Sequence, residues 1–310
     1  MSGFGIFAGL AAASIWGGMY VVSKVVLEVI PPFTLLSLRL LLGIMSLAVF
    51  LPRQGGLKWP LKWLLAAFLA GFIGYGISLG LQFVGTHLST AANAALVTSA
   101  SPAFILIFGI WILGEKATWS RVAALILSSV GVIIVIDPRS VFLGGDLALG
   151  NIALLGAALT WGLYSVLIKK VGAQMTTVAV SFIAFLGGLP MSLPLSAFEI
   201  RTVGIGQITP GVILGVLYLG IISTGLAMYL WNKSLGLLDA GLVSLLFFAQ
   251  PVVGVGLGTM LLGEELNLGF WIGALFIGGG LLIAARAEPK KFNRGIDGRG
   301  ASEEGLNGGK

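Results

Sequence analysis

The chain has no cysteine and one histidine, His87. Disulfides and thiolate metal sites are excluded, and any imidazole-based catalysis has a single ring to draw on. Charge is scarce as well. Only 10% of the 310 residues are charged and 57% are hydrophobic, whereas a soluble chain carries roughly 25% charged residues. No water-soluble surface can be built from this composition, so lipid is the expected solvent. Acids are missing where a proton pump needs them. Glu28, Glu115, Asp137, Asp146, Glu199, Asp239, Glu264 and Glu265 bound apolar runs, and Glu288, Asp297, Glu303 and Glu304 lie in the tail. None is at mid-depth, which is where a proton-relay acid usually sits. An intramembrane enzyme would need a buried Ser–His pair, paired aspartates or a metal-ligand cluster. The expectation is no enzyme, no metal and no cofactor. The net charge of +6 comes from basic residues between apolar runs. That pattern points to loops beside anionic lipid rather than to nucleic acid.

What the chain does contain is a duplication. The segment from Ser89 to Glu115 is echoed from Leu238 to Glu264: small residues open it, a proline stands near its middle, and Gly-Glu closes it. Pro102 and Pro251, Glu115 and Glu264, and Gly131 and Gly280 are each 149 positions apart. Trp16-Gly17 recurs as Trp161-Gly162, and Lys24 as Lys169, at an offset of 145. A fixed period of this kind marks a repeated structural unit.

A helix needs about 20 apolar residues to cross the hydrocarbon core. Ten such runs are expected, at roughly 4–26, 33–51, 63–84, 91–113 and 120–136, then 147–168, 176–197, 210–231, 240–262 and 268–285. The first has no basic segment before it and reads as a retained span, not a signal peptide. The fold class is thus all-α integral membrane. The two units run over 4–137 and 146–286, followed by a polar, Gly-rich tail over 287–310 that is expected to be disordered. Five spans per unit is an odd number, so the second unit enters the membrane from the opposite side. The halves become inverted repeats about an axis in the membrane plane. With the N-terminus in the cytoplasm, fourteen Lys and Arg fall inside and only Arg139 and Arg201 outside. Both termini are therefore expected on the cytoplasmic side.

The Trp-Gly of the first span, Lys24, the turn Pro31-Pro32, Arg39 in the second span and the doubled Pro…Gly-Glu segment resemble the drug/metabolite transporter superfamily, in its EamA-type branch. The resemblance covers about 4–286. It implies ten helices in two inverted repeats and a secondary transporter, an exporter of an amino acid or a related zwitterionic or neutral metabolite. A prokaryotic inner membrane is the implied location. Multidrug or organic-cation efflux and a passive channel of the same topology are the alternatives. The expected partners are a small-molecule substrate and membrane lipid, with the chain acting as a monomer or homodimer.

Several side chains are candidates for a central cavity. Trp16 and Tyr20 share one helix face, as do Trp161 and Tyr164, and would form an amphipathic aromatic wall. Arg39 lies about two turns into its span. Burying it costs at least about 2.5 kcal/mol, so it faces the interior or water. It would either bind a substrate carboxylate or snorkel and brace helix carbonyls. Gln82, Asn93 and Gln250 are amides that need partners in lipid, from another helix or from substrate. Pro102 and Pro251 are expected to kink their spans and act as hinges. Glu115 is expected to cap the next span or to pair with Lys116 or Arg121, and Lys24 to snorkel. Proton coupling would have to run through His87, a span-end acid or the substrate's own charge, so facilitated efflux or exchange fits equally.

The absence of cysteine makes the topology directly testable. Single cysteines replacing Lys58 and Lys170 are expected to react with an impermeant thiol reagent from one face of the membrane, and one replacing Arg201 from the other. Lys58 and Lys170 appearing on opposite faces would overturn the inverted arrangement.

Overall fold

The computed structural model describes residues 3–54, 56, 58–88, 94, 97–136, 146–262 and 268–287. All regular structure among them is helical. In chain order the helices are α1 (Gly3–Leu27), α2 (Pro32–Ala48), α3 (Leu61–His87), α4 (Ser101–Leu113), α5 (Trp119–Ile136) and α6 (Asp146–Gly172). They continue with α7 (Thr177–Thr202), α8 (Pro210–Leu237), α9 (Ala240–Leu246), α10 (Ala249–Leu262) and α11 (Leu268–Ala287). Among the described residues α1, α3, α6, α7 and α8 are long and apolar enough to cross a membrane, and five further apolar segments are shorter. The shortness has visible causes. The expected ninth span is divided into α9 and α10 by a turn at Phe247 and Phe248. In the expected fourth span, residues 97 and 98 are helical and a turn at Ser99 and Ala100 precedes α4.

Local chemistry sets these boundaries. Pro32 and Pro210 stand in the first turn, where the missing N–H has no intrahelical partner to lose. Thr176 and Thr209 cap α7 and α8 by accepting from Ala179 and Val212. α4 stops at Gly114, which takes the left-handed conformation at φ 68°. The two prolines expected at mid-span prove to lie in the first turns of α4 and α10, each directly after a break. A proline cannot donate, so the chain restarts its helix where the donor is not required. The prolines inside a continuous helix are instead Pro190 and Pro194 of α7.

The contacts define two ends of the bundle. At one, Ser234 of α8 donates to the Gly5 carbonyl at 2.8 Å. There Glu115 caps α9, accepting from the backbone N–H of Ala240 at 2.7 Å and Gly241 at 3.0 Å. It also pairs with Arg121 at 3.9 Å and with Lys169 of α6 at 3.5 Å, and Arg121 meets Asp239 at 2.7 Å. So Glu115 does pair with Arg121, but the helix it caps belongs to the other half of the chain, not the next span. Lys169 donates to the last carbonyls of α8, at Leu235 and Leu238. At the opposite end Lys24 does the same for α3, donating to Thr86 O at 3.3 Å and His87 O at 3.2 Å. It braces a helix terminus rather than reaching for the lipid surface. Glu199 of α7 caps α2 through the N–H groups of Phe33 and Thr34 at 3.0 and 2.8 Å. A carboxylate at a helix N-terminus and an ammonium at a C-terminus both complement the dipole.

Apolar side chains cover the outside: Trp111, Leu275, Ile152 and Leu214 are largely exposed. Between helices, small residues bring backbones together, because lipid supplies no hydrophobic force for association. A Cβ on Gly17 of α1 would lie 2.7 Å from the Gln250 carbonyl of α10. One on Gly131 of α5 would lie 2.7 Å from the Gly273 carbonyl of α11. Gly71 and Gly187 seat α3 against α7, directly on the Ala184 and Phe68 backbones. α5 and α11 pack chiefly on each other.

Two alanine substitutions separate close approach from simple helix propensity. Gly187→Ala is expected to lose about 1–3 kcal/mol by overpacking against Phe68. Gly76→Ala, whose Cβ would sit 3.5 Å from Met191 Cβ, is expected to be neutral or up to about 1 kcal/mol stabilising. Thermal unfolding of the two purified variants reads the difference.

Candidate functional site

The third span of each half contains a π-helical stretch: Phe72–Ser78 in α3 and Tyr218–Leu226 in α8. A π turn shifts the helix register and leaves backbone groups to be satisfied from outside. In α8, the Leu219 carbonyl accepts from Thr224 Oγ1 at 2.7 Å and from Arg39 Nε at 3.2 Å. The Ser223 carbonyl accepts the Trp16 indole N–H at 3.0 Å. The Tyr218 hydroxyl returns to α1, donating to Ile15 O at 2.6 Å. In α3, Ser78 Oγ donates to Ala157 O of α6 at 2.8 Å. Each third span is thus tied through its π stretch to the first span of the other half.

These ties surround one cavity. Its volume is about 30 Å³. One wall comes from α1, α3 and the α4 region: Trp16, Met19, Tyr20, Ser78, Leu79, Gln82, Thr98 and Ser101. The facing wall comes from α6, α8 and the α9–α10 segment: Ala157, Ala158, Trp161, Met228, Phe247 and Gln250. Five of the expected cavity residues therefore meet: Trp16, Tyr20, Gln82, Trp161 and Gln250. Trp16 and Trp161 pack edge to face at 5.6 Å between ring centroids, and Trp16 also packs on Trp231 at 5.3 Å and Phe247 at 5.8 Å. The Tyr20 hydroxyl shares a 2.6 Å hydrogen bond with Thr98, and the Gln250 amide donates to Trp16 O at 3.4 Å.

Two expected residues are not on this wall. Tyr164 lies behind Trp161, hydrogen-bonded to the Tyr75 hydroxyl and to Asn232 Oδ1. Asn232 in turn donates to Ser181 at 2.9 Å. The three-residue step from Trp161 turns the ring toward α3 and α8 rather than into the opening. Arg39 is completely buried and braces the α8 π stretch, with its guanidinium 5.0 Å over the Phe83 ring. The bracing alternative describes it; an interfacial position does not. Asn93 lies outside the described residues.

The structure adds wall residues that the sequence reading passed over, chiefly Ser78, Thr98, Met228 and Phe247. Their signal was present in part. FIGYGIS and YLGIISTGL, the two π stretches, concentrate Gly, Ser and Thr at mid-span in equivalent spans. The indole N–H groups of Trp161 and Trp231 are buried and without a hydrogen-bond partner. Among the described residues the wall carries no Asp, Glu, Lys, Arg or His. Among the described residues no three His, Cys, Asp or Glu come together as a metal site would require.

The EamA-like transporter profile matches residues 3–137 and again residues 148–286. The chain belongs to the EamA-like transporter family. As an EamA-like protein with several long apolar helices, it is a multi-pass membrane protein. It is 29% identical over 291 residues to a Salmonella typhimurium protein named "Probable amino-acid metabolite efflux pump", across 89% of this chain and 93% of that one. It is 25% identical over 278 residues to the Bacillus subtilis "Uncharacterized transporter YoaV", across 88% and 94% of the two chains. A crystal structure of a protein at 22% identity superposes with a TM-score of 0.74, covering 91% of this chain and 96% of that one. That likeness concerns the fold alone.

The Tyr75–Tyr164–Asn232–Ser181 chain makes a direct prediction for this EamA-like protein. Asn232→Leu keeps the volume, takes the Asn232 donor from Ser181 and the acceptor from Tyr164, and leaves the buried Tyr164 hydroxyl only its bond to Tyr75. A stability loss of about 1–3 kcal/mol is expected, read by thermal unfolding, with Tyr75→Phe milder.

Proposed function

We propose that the chain is a secondary transporter that exports a small metabolite, an amino acid or a related zwitterionic or neutral compound, by alternating access between two inverted five-helix repeats. The observation that carries this reading is the composition of the cavity wall. Spans one, three and four of the first half face the corresponding spans of the second half, through α6, α8 and the α9–α10 segment. A cavity at the seam between duplicated units is where inverted-repeat transporters hold substrate. The relatives named as efflux pumps and transporters support the same class.

In this reading the bundle rocks about the seam. The glycine contacts of α1 with α10 and of α3 with α7 allow sliding without opening voids. The breaks before Pro102 and Pro251 supply the hinges, since both restart a helix beside the cavity. The Glu115–Lys169–Arg121–Asp239 cluster closes the end that carries the N-terminus, and the Lys and Arg distribution assigns that end to the cytoplasm. The single chain is the transporting unit. Among the described residues no acid lines the cavity, so substrate exchange or facilitated efflux accounts for the wall better than proton antiport does.

Counterflow in proteoliposomes tests the proposal. Preloading with a mixture of unlabelled amino acids is expected to drive saturable uptake of at least one labelled member. Trp161→Ala, which removes the largest shared wall element, is expected to cut that flux at least tenfold while the protein stays folded. Non-saturable flux in proportion to concentration would favour a channel instead.

A further inference from the structure

We infer that the cavity selects a carboxylate-bearing small molecule and rejects amines that lack a carboxylate, with Arg39 setting the sign of the site. This deepens the transporter reading and rests on it. Arg39 is 0% exposed, yet its hydrogen-bond partners are neutral oxygens: Leu219 O, Thr224 Oγ1 and Ser223 Oγ. Its Nη1 has no partner. An arginine keeps its charge in any such environment. The described carboxylates do not neutralise it, because they stand at or just beyond helix ends: Glu115, Asp146, Glu199 and Asp239 bound α4, α6, α2 with α7, and α9, and Glu28 follows α1. Among the described residues, the titratable groups that face Arg39 are the hydroxyls of Tyr20 and Tyr218. A full positive charge therefore sits uncompensated in the core.

Arg39 stands one layer behind the cavity wall. Its guanidinium lies over Phe83, the neighbour of the wall residue Gln82, and faces Tyr20, itself on the wall. In a medium of low dielectric a charge at that remove still governs the potential in the opening. The wall reinforces the preference. Trp161 offers an unpartnered indole N–H, Gln82 and Gln250 offer amide donors, and no carboxylate is there to receive an ammonium. Aromatic faces alone would suit an organic cation, but here the nearest formal charge is of the same sign and has no counter-anion. A carboxylate supplies that missing counter-charge, and the apolar remainder of the wall takes an aliphatic or aromatic body.

The matched pair 4-methylpentanoate and 4-methylpentylamine, with L-leucine alongside, tests this on the full-length protein in lipid nanodiscs and in vesicles. The acid and the amino acid are expected to bind at least tenfold more tightly than the amine. Arg39→Met is expected to abolish that ratio and Arg39→Lys to keep it, a readout that loss of packing alone does not move. Should Arg39→Met fail to fold, Trp161→Phe keeps the ring and deletes the N–H, and is expected to weaken the acid but not the amine. The inference is overturned if the amine binds native protein as tightly as the acid, if none of the three binds, or if the preference survives in folded Arg39→Met. Saturable counterflow of the amine would sink the inference and leave the transporter reading standing. Selective binding of the acid with no counterflow of any compound would do the reverse.

Discussion

A backbone carbonyl or amide that loses its partner inside lipid must find another, because no water is there to take its place. Much of the architecture answers that single constraint. Both third spans contain π stretches, and both leave polar backbone to be met from outside. Trp16, Arg39 and Thr224 meet it in α8. Helix ends pose the same problem, and Lys24, Lys169, Glu115 and Glu199 answer it with full charges. These are the residues a reader of the sequence would first suspect of touching substrate. Most of them are occupied holding helices.

The same constraint explains where the cavity lies. Tethers of this kind cross between the halves: Trp16 and Arg39 to α8, Ser78 to α6, Glu115 to α9 and Glu199 to α2. They draw the π stretches and the broken fourth and ninth spans toward one point. Helices interrupted there cannot pack flush, and the gap left between them is lined by indole rings, amides and methionines. The cavity is thus what remains where irregular backbone is gathered away from lipid. Irregular backbone at membrane depth is tolerated only where protein buries it or a cavity borders it.

Arg39 departs from the internal symmetry. Lys24 has Lys169, Trp16 has Trp161, and each π stretch has its counterpart. The partner span of α2 is α7, whose contact with α3 runs through Gly187 and Gly188 with no cation. α2 therefore holds α8 with a charge, whereas α7 holds α3 by close backbone contact.

The duplication, the alternation of apolar runs with basic loops, and the aromatic and amide candidates at mid-span were legible in the chain because lipid imposes length and polarity on every residue that crosses it. Trp16, Tyr20, Gln82, Trp161 and Gln250 could be placed on the cavity because a polar or amphipathic side chain at that depth has few alternatives. What the order of residues left open was direction. Whether Tyr164 looked into the cavity or toward Asn232, whether Glu115 capped the next helix or α9, and whether Pro102 bent a helix or began one depended on helix register. That register is shifted by π turns and mid-span breaks, and those are settled by contacts between segments 68 to 207 residues apart in the chain. Composition and period determined that this is a membrane bundle built twice; only the packing of the two copies decided which buried groups hold the frame and which face the opening.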